Sequence, residues 1–150
     1  MRVLKIAVIM LAGLLAGCGS AGPKSVVKNG SLAPEFLDTS IDKEYLWVRG
    51  LGAAGEKYAD ATQRRIMSRE AAIANAQLRA TEYLNGAAVN SKTRVENGVT
   101  DDQQLLVTVN AAVAHAEVVS AEYTKDDGCA VVVRLKLSEI NRGGIIVKPE

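Results

Sequence analysis

The chain contains one histidine and two cysteines in 150 residues. A structural metal centre takes about four His or Cys ligands together, so none is expected. Aromatic side chains are also scarce: Phe36, Tyr45, Trp47, Tyr58, Tyr83 and Tyr123 are the full set. Six cannot build a base-stacking platform or an aromatic ligand cage. Excess charge of one sign is missing, since 18 Lys and Arg face 17 Asp and Glu for a net of +1. Neutralising phosphates needs clustered cations, so nucleic acid is not an expected partner. The longest uncharged apolar segment at the N-terminus, Ile6 to Ala16, has eleven residues. As a helix it covers only ~16 Å, against a hydrocarbon core of ~30 Å.

What is present begins with an address. Arg2 and Lys5 precede the apolar run, which reads as the core of a secretory signal. Directly behind it stands Leu15-Ala16-Gly17-Cys18. This tetrapeptide matches the bacterial lipoprotein box, whose small residues admit the signal peptidase and whose Cys thiol receives a diacylglycerol. The match implies a signal peptide over 1–17 and a mature chain starting at Cys18, with 16 basic and 17 acidic residues. Acyl chains, not charge, would then hold the protein to the membrane, and two or more give stable attachment. Gly19 stands where Asp would favour inner-membrane retention under the sorting rule of enteric bacteria, so the expected location is the outer membrane, facing the periplasm.

Residues 18–33 are rich in Gly, Ser and Lys and read as the lipidated Cys and a flexible tether. Residues 34–150 read as one small α+β domain. Tyr45 to Val48 is a strand candidate ending at Gly50. A helix is expected from Ala61 to Leu84, capped by Asp60 with Gln63 as the box partner and stopped by Asn85-Gly86. At 100° per residue its apolar face carries Ile66, Met67, Ile73, Ala74, Leu78 and Leu84, and its polar face Arg64, Arg65, Ser68, Asn75, Arg79 and Glu82. Ala87 to Glu96 alternates as a strand. Residues 103–113 fit helix or strand, with helix preferred. Two alternating runs, Val119 to Tyr123 and Cys129 to Leu137, predict a hairpin. A three-residue loop with Gly128 in the left-handed region would pair Tyr123 with Val131, Ala121 with Val133 and Val119 with Leu135. Ser120, Glu122, Arg134 and Lys136 would then line the outer side.

Few residues suggest chemistry. Gly50-Leu51-Gly52-Ala53-Ala54-Gly55 satisfies the dinucleotide-binding pattern, but the expected second strand is not doubly buried and Glu70 lies mid-helix. A strand-to-helix turn is the better reading, with no cofactor. Glu70 falls on the apolar face, either as a paired buried carboxylate or, preferably, beside a neighbouring Arg. His115 has no nucleophile near it in sequence and reads as a sheet-surface residue. Asp126 and Asp127 suit a turn. Asn29-Gly30-Ser31 is a formal sequon without meaning in a bacterial tether. Cys129 opens a strand and reads as a small buried hydrophobe. No catalytic or metal-binding residue is assigned; Cys18 is the one functional residue.

The lipobox, Pro34-Glu35-Phe36-Leu37, the Gly50-Leu51-Gly52 turn and the Arg- and Ala-rich helix together resemble the small bacterial outer-membrane lipoproteins of the twenty-kilodalton type. Residues 85–95 and 114–137 are most similar to the flagellar lipoprotein FlgP. The resemblance implies a long helix on a curved antiparallel sheet, similar to the dodecin or SHS2-like folds. It also implies a homo-oligomeric component of outer-membrane disks or rings around a flagellum, needed for motility. Residues 140–150 depart from the pattern, lacking the helix of some relatives. Two other roles fit the same features: a monomeric surface antigen or adhesin, and a small-ligand carrier of dodecin type with a groove between helix and sheet.

Overall fold

A computed structural model describes residues 25–33, 38–92 and 102–147. The lipobox and Cys18, residues 34–37 and the segment 93–101 lie outside the described residues.

The chain order is two short strands, β1 (Val27–Lys28) and β2 (Ser31–Leu32), then β3 (Thr39–Ile41) and β4 (Tyr45–Gly52). Helices α1 (Ala61–Lys92) and α2 (Asp102–Ala114) follow, then β5 (Glu117–Tyr123), β6 (Cys129–Lys136) and a short α3 (Leu137–Arg142). β1 and β2 form a hairpin of their own; the other four make an antiparallel sheet in the order β3-β4-β6-β5. The long helix lies on this sheet, chiefly over β4 and β6. The fold is α+β.

The helix begins as its sequence directs: the Asp60 carboxylate accepts the Gln63 N–H at 3.0 Å, satisfying one of the donors a helix start leaves open. It buries only part of the face that hydrophobicity alone selects: Leu84 is in the core and Ile73 packs against it. Ser68, Ala72, Ala76, Ala80, Leu84 and Ala88, a strict i+4 row, are buried. Ile66 at 55%, Met67 at 39% and Leu78 at 56% exposure point to solvent. The reason is in the strand beneath. A Cβ at Gly50 would collide with the Ala72 carbonyl and the Ala76 amide, and one at Gly52 with the Ser68 carbonyl and the Ala72 amide. Helix and strand backbones touch, and only small residues fit between them. Gly50 and Gly52 therefore belong to β4 and to this contact, not to the strand-to-helix turn expected for them.

Asn85-Gly86 does not end α1, which runs to Lys92. Residues 87–92, expected as a strand, are helical, and 93–96 lie outside the described residues. Continuing the helix lets Leu84 and Ala88 pack with Val109 and Val113 of α2 in one core. Burying that row outweighs the ~1 kcal/mol helix penalty of Gly86. Residues 103–113 are helical as preferred.

The β5–β6 pairing differs in register from expectation. Tyr123 faces Cys129, Ala121 faces Val131 and Val118 faces Val133, with a bulge between Val118 and Ser120. The left-handed residue of the connecting loop is Asp127, φ 60°, rather than Gly128. The partners of Tyr123 and Ala121 shift by two, so both keep the apolar side of the sheet, while Val119, expected opposite Leu135, falls at the bulge instead. Beyond β6, α3 takes in Leu137, expected as the end of the strand, and Ile140 to Arg142, expected to lack a helix, and Ile145 and Val147 return to the core.

The far face of the sheet is covered too. Residues 25–33, expected as tether, form the β1–β2 hairpin through Asn29 and Gly30, both at positive φ, as a tight two-residue turn requires. Val26 packs there on Ala130 and Val132, with Val27, Trp47 and Leu51 around them. The central strand β6 is thus buried on both faces.

The α1–β4 contact sets a stability test. Gly50→Ala should cost about 1–3 kcal/mol, the range for overpacking a tight site. Ile66→Ser, on the exposed face, should stay within about 0.5 kcal/mol. Urea denaturation of the two variants checks the assignment of faces; the reverse order would contradict it.

Candidate functional site

Asp127 gathers the densest polar contacts described in the molecule. Its Oδ2 accepts from Arg64 Nε at 3.0 Å and Nη2 at 2.8 Å, and its Oδ1 from Arg65 Nε at 2.9 Å. Arg64 Nη1 also donates to the Tyr58 and Ala59 carbonyls. One carboxylate in the β5–β6 loop therefore fastens the first turn of α1 and the segment leading into it. Hydrogen bonds from Arg65, then Arg64, hold the Asp127 carboxyl below its ordinary value against an opposing effect of burial. Arg65 also stacks over the Tyr123 ring, 5.6 Å from its centroid. Neighbouring Asp126 is exposed; its oxygen accepts from the Thr124 hydroxyl, the main cause of its lowered pKa. Both Asp residues do what a turn asks of them, but the paired arginines give Asp127 a tertiary role that its local sequence does not announce.

A second carboxylate holds the N-terminal hairpin. Glu122 on β5 accepts from Ser25 Oγ at 2.6 Å, Val27 N at 3.0 Å and Val26 N at 3.3 Å. Burial works to raise its pKa, but the bonds from Ser25, Val27 and Val26 together outweigh it and lower the value. Beside the hairpin, an open cleft of about 570 Å³ is lined by Gly30, Leu32, Leu51, Gly52, Thr124 and Cys129, among others. Its walls combine glycine and aliphatic carbon with the polar side chains of Ser31, Thr124 and Asp126, and no aromatic ring among the described residues lines it. The Cys129 thiol is buried. Burial pushes its pKa up, with a smaller opposing effect from Arg69. A protonated, shielded thiol is a poor nucleophile, in keeping with the reading of Cys129 as a small hydrophobe.

The remaining sequence candidates do not converge. Glu70 is exposed and sits 3.5 Å from Arg69, so it is no buried acid. His115 lies in the turn after α2, not on the sheet, with Nδ1 donating to the Ala111 carbonyl at 2.7 Å. Gly55 is in the loop before α1, with open space around it apart from Tyr58. Asn29 and Gly30 make the hairpin turn. Among the described residues no three His, Cys, Asp or Glu side chains are grouped to hold a metal ion. No described helix is long and apolar enough to cross a membrane.

The sequence reading placed Glu122 on the outer side of the sheet but missed its hairpin ligands. The signal available was modest: a carboxylate on an edge strand with no cation placed opposite it. No protein-family model, characterised protein or solved structure matches the chain.

The two carboxylates make a signed prediction about pH. Both have folded-state pKa values below their ordinary ones. Their stabilisation is therefore complete above the unfolded carboxylate range and lost as pH falls through the lowered values. Thermal midpoints should drop on acidification from about pH 6 to about pH 3. Asp127→Asn keeps the left-handed backbone accessible but loses the charge. It should melt several degrees lower at neutral pH and show a shallower acid dependence than the parent protein. Equal slopes for the two proteins in a melting series would contradict the assignment.

Proposed function

We propose that this protein is an outer-membrane lipoprotein with a structural role, held by a diacylglycerol on Cys18, and that it self-assembles into a flagellum-associated disk or ring. The observation that carries the reading is Leu15-Ala16-Gly17-Cys18 standing directly behind an eleven-residue apolar run with a basic start. That arrangement suits attack of the Cys18 sulfur on the headgroup-bearing glycerol carbon of a phospholipid. The C–S bond forms, the C–O bond to the phosphate headgroup breaks, and headgroup phosphate and the thiol proton leave; cleavage of the Gly17–Cys18 peptide bond follows. Under this reading the function is placement of a stable domain at a bilayer, not turnover of a substrate.

The surface supports assembly. Ile66, Met67 and Leu78 on α1, Leu106 and Val107 on α2, and Val118 and Val119 on β5 are large apolar side chains left exposed. Met67, Ala71, Ala74 and Leu78 follow one another at i, i+4, i+7 and i+11 along α1, a pattern that lets two helices pack. β5 is an edge strand of the sheet, and edge strands offer unpaired backbone groups to another copy. The rival carrier role is less well served. It needs a groove between helix and sheet, and at Gly50 and Gly52 the two are in backbone contact.

Two measurements test the proposal. The wild type should incorporate labelled palmitate and require detergent for extraction, and Cys18→Ser should abolish the labelling. A wild type that takes up no label, or that washes free without detergent, would overturn the anchor. Light scattering of the detergent-solubilised wild type should report a discrete oligomer. Met67→Asp with Leu78→Asp should shift it to a monomer while leaving the melting midpoint nearly unchanged, because neither side chain is in the core. A wild type that stays monomeric at high concentration would favour the surface antigen or adhesin instead.

A further inference from the structure

We propose that the outer face of the sheet, with the 25–33 hairpin lying on it, is turned toward the phospholipid leaflet, and that α1 faces away from it. The inference rests on the acylated Cys18 proposed above.

The argument is one of chain length. Were residues 18–33 a free tether, the domain would hang by at least fifteen residue steps, up to ~50 Å, and could present any side to the membrane. The hairpin removes most of that freedom. Its backbone is tied to the sheet at both ends. Glu122 binds Ser25, Val26 and Val27 at one end, and the Gly30 carbonyl accepts from the Lys125 N–H at 3.0 Å at the other. Val26 is 3% exposed, seated on Ala130 and Val132. The fixed point of the leash is therefore Ser25, only seven residue steps from Cys18. Seven steps reach at most ~25 Å.

That leash leaves from the side of the sheet opposite α1. Hairpin, sheet and helix stack as three layers, each about 10 Å thick. Bringing the solvent face of α1 to the bilayer would require the leash to climb around the sheet edge, a path on the order of 30 Å. The chain is too short to do this. The exposed row Met67, Ala71, Ala74 and Leu78 is thereby directed away from the leaflet. Glu122 is a positioning residue in this scheme: it sets the length of the leash by holding the hairpin down.

Energy transfer on the whole acylated chain tests the orientation. The protein, in a Cys129→Ala background, carries a donor dye at Lys28→Cys on the hairpin or at Glu70→Cys on the solvent face of α1. It is reconstituted into phosphatidylcholine vesicles containing rhodamine-labelled phosphatidylethanolamine. Transfer from the hairpin site should exceed that from the helix site at least twofold. Inserting a flexible stretch of about twelve Gly and Ser residues between Gly22 and Pro23 should bring the two efficiencies together. Glu122→Ala should narrow the difference in the same direction. Protein that fails to float with the vesicles refutes the acyl anchor itself. Protein that floats but transfers equally from both sites refutes the orientation alone. A twofold difference that survives the insertion also refutes it, since the leash would not be the cause.

Discussion

The distance between α1 and β4 is the constraint on which the structure depends. Gly50 and Gly52 remove the side chains from one side of the contact, and Ser68, Ala72 and Ala76 shrink them on the other. Rotating α1 to bury Ile66, Met67 and Leu78 would gain about 1.5–3 kcal/mol for each side chain taken from water. It would also set three long side chains against strand backbone and drive the helix off the sheet along its length. The gap so opened would cost contacts at every buried position from Ser68 to Ala88. Close packing of small groups wins because dispersion falls steeply with separation and the loss is collective. Three exposed apolar side chains on the longest described helix are the consequence.

Carboxylates do the fastening that a small core leaves undone. Asp127 joins the loop at one end of β6 to the start of α1, and Glu122 joins β5 to the N-terminal hairpin. Each accepts three side-chain or backbone hydrogen bonds, so neither is a charge left without partners. Both act at places where apolar contact alone is thin: a loop in one case, a nine-residue appendage in the other. The hairpin in turn explains why β6 is hydrophobic on both faces. Ala130 and Val132 would be solvated on a two-layer protein, but here they are buried beneath Val26.

Much of this was legible in the residues, and what was not has definite causes. The Asp60 cap, the helical period of residues 103–113 and the extended apolar run of β6 are local signals, and local physics honours them. The buried face of α1 was misread because a count of apolar residues weighs Leu above Ala, while the contact with two glycines demands the opposite. The β5–β6 register shifted by two because Asp127, held by two arginines, takes the left-handed conformation usually left to Gly. Helix α1 outran its Asn-Gly stop signal because Leu84 and Ala88 have a partner in α2 that no nearby residue reveals. The hairpin was hidden in a stretch whose composition is that of a linker; its two buried residues, Val26 and Ala33, are too few to register as a pattern. The lipobox is legible from sequence alone and lies outside the described residues.

Covering the outer face also changes what an N-terminal anchor can accomplish. A lipid on a long free linker fixes a concentration near the membrane and nothing more. A lipid on a short leash that leaves from one face also fixes a direction, and a direction is what closed assembly needs. Copies presented in a common orientation lose less rotational freedom on association than copies that tumble. Under the proposed reading, a side-to-side contact between such copies, as at the β5 edge, closes into a ring under rotation about an axis normal to the bilayer. On the same proposed reading, the carboxylate that holds the hairpin down is what gives copies on one leaflet a common orientation.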